Sequence, residues 1–373
     1  MRPDVTVETL RVSAYELPTA TDAESDGTRT WRSTTLVLVE AGGGGEQGLG
    51  YTYAHPSAGQ VAADVLAPAV RGADALAPAA AYERMHAAIR QLGHAGVAAM
   101  ALSAVDVALH DLRARLLGLP LADALGRVRD RVPAYGSGGF TDYDERQLRE
   151  QVRGWMAQGF EQVKVKVGRD KRADPARLDV VREEIGERVE LFVDGNGAYL
   201  PHEAVGWARR FADGHDARWF EEPVSSQDPS GLRHVRARAP AGMAIAAGEY
   251  AWDLPDLVAL RDAAAVDVLQ ADVSRCGGAT GLLRADGLCC AAELPFSAHC
   301  VPAVMAHVGC AMRSLLHCEH FFDHARVERL LFDGAPAPRD GALIPDRSRP
   351  GLGLELRRAD AERYALSAQE AAR

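Results

Sequence analysis

Apolar and polar positions alternate with a period of two in three stretches near the start of the chain. This alternation is typical of strands with one buried face, and it predicts strands at residues 6–14, 34–40 and 48–53. A polar segment, residues 19–32, lies between the first two strands and is a candidate lid over another part of the molecule. From residue 59 to residue 125 the apolar positions follow a helical period instead. Strands followed by helices predict an α+β unit at this end of the chain.

After residue 133 the pattern changes to alternating strands and helices. Short runs rich in β-branched and aromatic residues predict eight strands, at residues 133–137, 163–167, 191–196, 219–223, 244–249, 266–272, 295–299 and 315–319. Amphipathic stretches separate most of them and predict helices, at residues 144–158, 201–212, 254–262 and 278–292. Eight such strands indicate a parallel (β/α) barrel rather than an open sheet. We therefore predict a capping domain at residues 1–127, joined by the C-terminal segment 352–373, and a barrel domain at residues 128–351.

The length, net charge and cysteine content of the chain limit the classes of partner that we expect for it. The chain has 373 residues, enough for a barrel and an accessory domain, and its net charge of −10 argues against a nucleic-acid-binding surface. The longest apolar stretch, residues 96–121, is interrupted by charged side chains and predicts a buried helix rather than a membrane span. The six cysteines all lie after residue 275 without zinc-ligand spacing. We expect a cytoplasmic protein with reduced thiols and no secretory leader.

The second predicted barrel strand, residues 163–167, alternates valine and lysine. Because strand side chains alternate between the two faces, Lys164 and Lys166 point to the same side. Two ammonium groups this close repel each other and lose water together, so we expect both lysine pKa values to be lowered. A lowered pKa would allow a lysine to act as a base. The alternative is an exposed edge strand whose lysines face water.

Ionisable side chains recur where the predicted barrel strands end. In chain order they are Lys164, Lys166, Asp194, Glu221, Glu249, Asp272, His299 and Glu319. In a barrel the C-terminal ends of the strands meet at one mouth, so these groups are expected to converge there. His317 and His320 flank the last of them, and we interpret both as packing or pocket residues. The convergence predicts a functional cluster rather than a solvated surface.

Two subsets of this cluster indicate specific chemistry. Three carboxylates from successive strands would repel each other without a cation, and hard oxygen ligands suit Mg²⁺. They are Asp194, Glu221 and Glu249. If Phe220 packs outward, Glu221 faces inward, so we favour Glu221 as the ligand over Glu222. On the other side of the mouth, Asp272 beside His299 would fix the imidazole tautomer and raise its pKa, giving a usable acid or base.

The order of these motifs resembles the enolase superfamily, and within it the mandelate racemase subgroup. The resemblance covers nearly the whole chain and includes residues 101–112 in the capping domain. It rests on short motifs, namely Lys164-Val165-Lys166, Asp194-Gly195-Asn196, Glu221-Glu222-Pro223, Gly248-Glu249, Asp272 with Gly277-Gly278 downstream, His299 and Glu319. It implies a (β/α)7β modified TIM barrel with an N-terminal α+β capping domain. Neighbouring subgroups carry a lysine at the position of Asp272 or a histidine at that of Asn196, and this chain departs from both.

The resemblance also implies roles for the residues on one side of the mouth. Mg²⁺ would be bound by Asp194, Glu221 and Glu249. Lys166 would be the base on one face of the substrate, and Lys164 would neutralise the substrate carboxylate.

Four further roles follow from the same resemblance. His299, oriented by Asp272, would be the acid or base on the opposite face. Glu319 would donate a hydrogen bond to the carboxylate oxygen away from the metal, which requires it to be protonated. Asn196 matches a position that often contacts a substrate hydroxyl group.

Together these groups would remove the weakly acidic proton on the carbon next to a carboxylate, through a stabilised enediolate. If the β-carbon carries a hydroxyl group, His299 can protonate it as it leaves, which makes the protein a dehydratase, a lyase that forms a 2-keto-3-deoxy acid. If His299 returns a proton to the opposite face of the α-carbon, the protein is an isomerase, a racemase or epimerase of a 2-hydroxy acid. The same residues serve both reactions.

The polar segment 19–32 favours dehydration of a sugar acid. Its hydroxyl and carboxyl groups suit a polyol, and they belong to Thr19, Thr21, Asp22, Glu24, Ser25, Asp26 and Thr28. Trp31 and Tyr53 could instead form part of an apolar pocket for an aryl substrate, which keeps the racemase open. A barrel that only binds or supports a partner is the third interpretation. We expect a small-molecule carboxylate as partner, no nucleic acid or membrane, and a homo-oligomer.

Overall fold

The structure is a computed structural model that describes residues 5–366. Its N-terminal part contains a three-stranded antiparallel sheet with Ser33–Gly43 between Thr9–Pro18 and Glu46–Tyr53. Helical segments follow the sheet, at Ser57–Val61, Ala62–Leu66, Ala67–Val70, Pro78–Ala88 and Val97–Leu116. This order of elements, strands followed by helices, is the order predicted from the pattern of apolar positions.

Eight parallel strands form a closed barrel. In chain order they are Val132–Gly138, Gln162–Lys166, Glu190–Asp194, Ala217–Glu221, Ala244–Ala247, Val268–Asp272, Phe296–His299 and Leu315–Phe321. Each strand pairs with the next, and pairing of the eighth with the first closes the barrel. The helices around it are Glu145–Ala157, Asp174–Ile185, Pro201–His215, Pro229–Arg236, Leu254–Asp262, Gly278–Ala292, Pro302–Val308 and Phe322–Leu331. The predicted fold, a TIM-like barrel with an N-terminal β-rich cap, is confirmed.

The barrel interior divides into an apolar lower layer and a charged upper layer. Five inward-facing side chains fill the lower layer, away from the mouth: Tyr135, Phe192, Trp219, Ala246 and Val268. The outward-facing positions pack against the surrounding helices, as Phe220 does against Phe211 with ring centroids 5.5 Å apart. The buried carboxylates and His299 lie at or near the C-terminal ends of the strands, above this apolar layer.

The predicted buried helix forms over Val97–Leu116 and lies against the cap sheet. The approach is close, because a Cβ on Gly48 would lie 2.2 Å from the backbone nitrogen of Leu112. In the part of the chain that the structure describes, no helix is long and apolar enough to cross a membrane.

The same helix also contacts the barrel helix Gly278–Ala292 through buried polar groups. Asp106 accepts hydrogen bonds from the backbone N–H of Thr280 at 2.9 Å and from its hydroxyl at 2.7 Å. The hydroxyl of Ser103 accepts a bond from the N–H of Gly277 at 2.9 Å. These contacts fix the cap on the barrel, because each buried donor would otherwise lack an acceptor.

The polar segment 19–32 folds as a small hairpin, Glu24–Ser25 paired with Thr30–Trp31, at the mouth of the barrel. The hydroxyl of Thr28 donates to the carbonyl of Asn196 at 3.2 Å. At the hairpin tip, a Cβ on Gly27 would lie 2.5 Å from a barrel carbonyl, so only glycine allows this approach. We call residues 19–32 the lid.

The described end of the chain returns to the cap sheet. The N–H of Leu366 donates to the carbonyl of Ala14 at 2.9 Å, and Arg358 forms an ion pair with Glu40. Residues 367–373, the remainder of the predicted C-terminal segment, lie outside the described residues.

Candidate active site

Three carboxylates converge at one side of the mouth. Asp194 and Glu221 end the third and fourth barrel strands, and Glu249 follows the fifth. One oxygen of each lies within 4.8 Å of the others, and all three residues are buried. Hard oxygen donors this close, with room for further ligands from water or substrate, fit the coordination that Mg²⁺ requires. The donor set is therefore suitable for this ion.

Both lysines of the second strand reach these carboxylates. Lys164 Nζ lies 2.5 Å from Glu221 Oε1, 2.8 Å from Glu319 Oε1 and 3.3 Å from Asp194 Oδ2. Lys166 Nζ lies 2.6 Å from Asp194 Oδ2. The register of the strands explains this contact, because Lys166 pairs directly with Asp194 across the sheet.

The expectation that the two lysines lower each other's pKa is wrong for this structure. Burial opposes the charged form of Lys164, but attraction from Glu221 and Glu319 outweighs it and raises the pKa well above its usual value. Burial likewise opposes the charge of Lys166, and Asp194 raises its pKa, with repulsion from Lys164 the smaller effect. Both side chains are therefore ammonium groups while these carboxylates pair with them.

His299 lies across the mouth from the lysines. Its Nδ1 is 2.6 Å from Asp272 Oδ2, and its Nε2 is 3.0 Å from Glu249 Oε2. Burial alone would lower the imidazole pKa, but Glu249 and then Glu319 raise it to about 10. Asp272 is itself held by the N–H and hydroxyl of Ser274, each at 2.7 Å. The structure thus brings together the histidine and carboxylate that the sequence pairs.

Glu319 lies between the two sides. Ser137 Oγ donates to its Oε1 at 2.5 Å, and Cys300 Sγ donates to its Oε2 at 3.3 Å. Burial raises the pKa of Glu319, but Lys164 and then His299 outweigh burial and hold that pKa well below its usual range. Glu319 is therefore a carboxylate in this arrangement, which differs from the protonated form that its expected role requires. The adjacent Lys164 is the physical reason.

The fourth strand places Glu221 inward, with its Oε2 accepting hydrogen bonds from Trp219 at 3.0 Å and Gln270 at 2.9 Å. Glu222 departs from simple strand alternation. The strand ends at Glu221, and Glu222 turns the chain with a φ of +36°, so its carboxyl also lies buried at the mouth. Burial and repulsion from Glu249 raise its pKa well above the usual value. Glu222 therefore lies at the cluster beside Glu221, in surroundings that favour its neutral form.

A cavity of about 740 Å³ lies between the mouth and the cap. Lys166, His299 and Asn196 line it from the barrel. Asn196 Oδ1 has no hydrogen-bond partner among residues 5–366. From the lid and the cap sheet it is lined by Asp26, Arg29, Trp31, Ser33, Thr34, Thr35 and Tyr53. The cavity therefore opens directly onto the reactive groups of the barrel.

Among the lining residues that were not predicted as site residues are Arg275, Cys300 and His324. Arg275 reaches the cavity three residues after Asp272, and its guanidinium donates to the carbonyl of Glu249 at 3.0 Å. Cys300 follows His299 directly, and that adjacency was the only signal in the sequence. His324 stacks on Tyr53 with ring centroids 3.5 Å apart, a contact between helix and cap that no local motif indicates.

Comparison with known proteins is consistent with this geometry. Residues 12–126 match the mandelate racemase / muconate lactonizing enzyme N-terminal domain, and residues 147–361 match the enolase C-terminal domain-like family. The L-talarate/galactarate dehydratase of Salmonella typhimurium is 30% identical over 94% of this chain and 89% of its own length. Other matching relatives are sugar-acid dehydratases, epimerases and cycloisomerases.

Two solved structures share the whole fold. A mandelate racemase/muconate lactonizing enzyme-like protein from Rubrobacter xylanophilus is 59% identical, with a TM-score of 0.94, over 97% of this chain and 100% of its own. A racemase from Streptomyces coelicolor A3(2), with bound magnesium, is 28% identical, with a TM-score of 0.90, over 96% and 100% of the two chains. The chain therefore belongs to the mandelate racemase/muconate lactonizing enzyme family of the enolase superfamily.

Proposed function

We propose that this protein is a Mg²⁺-dependent dehydratase that converts a sugar acid to a 2-keto-3-deoxy acid. The observation that carries the proposal is the placement of Lys166 and His299 on opposite sides of one polar cavity. One group can remove a proton from the α-carbon while the other protonates a leaving hydroxyl group. The dehydratase of Salmonella typhimurium, similar over nearly the whole chain, supports the same reaction class.

Asp194, Glu221 and Glu249 would bind the metal. When bound, Mg²⁺ supplies positive charge that offsets the charge developing on the substrate carboxylate and competes with Lys166 for the oxygens of Asp194.

The side chains around the metal site have complementary tasks. Lys164 neutralises the substrate carboxylate from below the mouth, where its Nζ already lies among three carboxylates. Lys166 accepts the α-proton on Nζ once it has released its own proton, which metal binding at Asp194 would favour because it would offset the negative charge that holds the ammonium form. Glu319 binds the carboxylate oxygen away from the metal and must carry a proton to do so, which the substrate's own negative charge beside it favours. Asn196 offers its side-chain amide to a substrate hydroxyl.

His299 completes the reaction. The electron pair left on the α-carbon forms a double bond to the β-carbon as the C–O bond breaks, and His299 Nε2 gives its proton to the departing hydroxyl. Water leaves, and the resulting enol takes up a proton on the former β-carbon to become the 2-keto acid. The contact with Asp272 holds Nδ1, so Nε2 is the nitrogen that faces the reacting atoms.

The cavity lining supports a polyol over an aryl substrate. Trp31 packs edge-on against Phe140, with ring centroids 5.6 Å apart, and Tyr53 stacks on His324. Both aromatic rings are therefore held in packing contacts. The second candidate, a racemase, rests on the Streptomyces coelicolor relative and on the same two acid–base groups.

The test is a screen of sugar acids for 2-keto acid formation with Mg²⁺ present, followed by reactions in D₂O. The His299→Asn variant should form no 2-keto acid, while Lys166 should still exchange the α-hydrogen with retained configuration. If the wild type inverts a 2-hydroxy acid, incorporates deuterium and dehydrates no sugar acid, the dehydratase proposal is wrong and the racemase replaces it.

A further inference from the structure

Three different donor atoms lie together beside the magnesium carboxylates, with His299 Nε2 3.0 Å from Glu249 Oε2. Cys300 Sγ is 3.2 Å from His299 Nε2 and 3.3 Å from Glu319 Oε2. His299 Nε2 is 3.5 Å from the same Glu319 oxygen. All three residues are buried, and His299 and Cys300 line the cavity. The triangle therefore has one side open to small solutes.

The size of this triangle matches one face of a tetrahedral metal site. A zinc ion with sulfur at about 2.3 Å and nitrogen and oxygen at about 2.0–2.1 Å separates its ligand atoms by about 3.3–3.6 Å. The observed separations are 3.2, 3.3 and 3.5 Å, so two lie within this range and the third is 0.1 Å below it. A donor set with sulfur and imidazole selects thiophilic ions, whereas Mg²⁺ selects oxygen.

Two of the three donor residues, His299 and Glu319, are held by further hydrogen bonds, as metal ligands commonly are. His299 Nδ1 is bonded to Asp272 at 2.6 Å, and metal-binding histidines characteristically give their second nitrogen to a carboxylate. The other oxygen of Glu319 accepts from Ser137 at 2.5 Å, which fixes the carboxylate plane. His299 ends the seventh strand and Glu319 lies in the eighth, so the backbone sets the spacing.

We propose that His299 Nε2, Cys300 Sγ and Glu319 Oε2 form a second cation site, for a thiophilic divalent ion such as Zn²⁺. The site shares no ligand with the magnesium carboxylates, and two of its three ligands, His299 and Cys300, line the cavity. Binding forms bonds from the ion to the three atoms, and the thiol proton and any proton on Nε2 pass to solvent. One consequence rests on the proposed function: the ion occupies the nitrogen that protonates the leaving hydroxyl, so it inhibits reversibly.

Cobalt(II) is a direct probe, because a cobalt–thiolate bond gives an intense near-ultraviolet absorption that oxygen and nitrogen ligands do not. Reduced, metal-free protein is first saturated with Mg²⁺ and then titrated with Co²⁺. The wild type should show this absorption, saturating at one ion per chain, and added Zn²⁺ should abolish it. Cys300→Ser should lose it, and His299→Asn should weaken cobalt binding at least tenfold.

Cys318→Ser is the matched control. Cys318 is buried close by, but the acceptors of its Sγ are backbone carbonyls, those of Glu319 at 3.5 Å and Cys300 at 3.7 Å. This variant should keep the full absorption. No absorption in folded wild type, or its persistence in Cys300→Ser, overturns the site.

Cobalt X-ray absorption of the wild type provides a measurement that needs no variant. The expected shell has one sulfur and one imidazole, and a shell of oxygen alone overturns the proposal. Because these readouts are binding signals, they do not depend on whether the enzyme is a dehydratase. Loss of the dehydratase proposal would leave the cation site standing, and the reverse also holds.

Discussion

The buried contact between Asp106 and Thr280 allows a quantitative prediction about how the cap is held on the barrel. Asp106 is fully buried, and desolvation raises its pKa to about 7 despite the two hydrogen bonds from Thr280. In an unfolded chain the pKa of an aspartate is about 3.9. Because the folded pKa is raised, the stability contributed by this group is complete below about pH 4 and is lost as the pH rises towards 7.

The magnitude follows from these two pKa values. A difference of about three pKa units corresponds to about 4 kcal/mol, of which about 3 kcal/mol is lost between pH 5 and pH 8. Asp106→Asn keeps an acceptor for the Thr280 N–H but cannot ionise. The stability difference between variant and wild type should therefore shift in favour of the variant by up to about 3 kcal/mol over this pH range.

The assay is denaturant unfolding of both proteins near pH 5 and near pH 8. Titrating groups that do not contact Asp106 cancel in the difference between the two proteins. His110 Nε2 lies 3.8 Å from Asp106 Oδ2, but burial lowers the His110 pKa to about 3, so this imidazole is neutral at both pH values. Ser103→Ala is the control at the same interface, because it removes the acceptor of the Gly277 N–H without removing a titrating group. It should cost about 1–3 kcal/mol at both pH values. A difference between Asp106→Asn and wild type that does not change with pH would refute the argument.

Three further predictions concern the mouth of the barrel. Lys166→Met should stop α-hydrogen exchange in D₂O, measured by NMR, yet retain thermal stabilisation by Mg²⁺. That stabilisation, measured by calorimetry, should reach about 2.7 kcal/mol at a Mg²⁺ concentration 100 times the dissociation constant. Glu249→Gln should remove most of this stabilisation, and Glu222→Gln should remove much less. Gly27→Ala should raise KM for the sugar acid more than it lowers kcat, since its Cβ would meet Gly195 O at 2.5 Å and hold the lid away from the mouth.

Periodicity along the chain predicted the elements because each barrel strand and helix carries its own local pattern. The helices Leu254–Asp262 and Gly278–Ala292 begin and end where their amphipathic stretches do. The strand Gln162–Lys166 was predicted one residue later at each end, at residues 163–167, and its outward valines are buried as a parallel strand requires.

Lateral contacts between strands were not predictable in the same way. Whether Lys166 meets Asp194 or the carboxylate of another strand depends on register, and no residue within strand 162–166 specifies it. The same holds for Cys300, whose thiol reaches Glu319 because the register of the two neighbouring strands sets Ala298 opposite Cys318. A motif of two or three residues identifies the ionisable side chains that are present. The protonation state of each depends on contacts with residues far away in sequence.

The contacts of Lys164 show why the protonation state of each ionisable group depends on the other groups in the cluster. One ammonium group faces Asp194, Glu221 and Glu319, so the oxygens compete for it and each interaction depends on the other two. A cation bound by Asp194 and Glu221 would offset the charge of these two carboxylates. The ammonium group of Lys164 would then interact mainly with Glu319 and with the substrate carboxylate. Lys164→Met should therefore destabilise the metal-free protein by about 3–5 kcal/mol, as for other broken buried ion pairs, and Mg²⁺ should recover part of that loss. Calorimetry with and without Mg²⁺ measures both quantities. An equal cost in the two conditions would mean that the three carboxylates do not share one counter-charge.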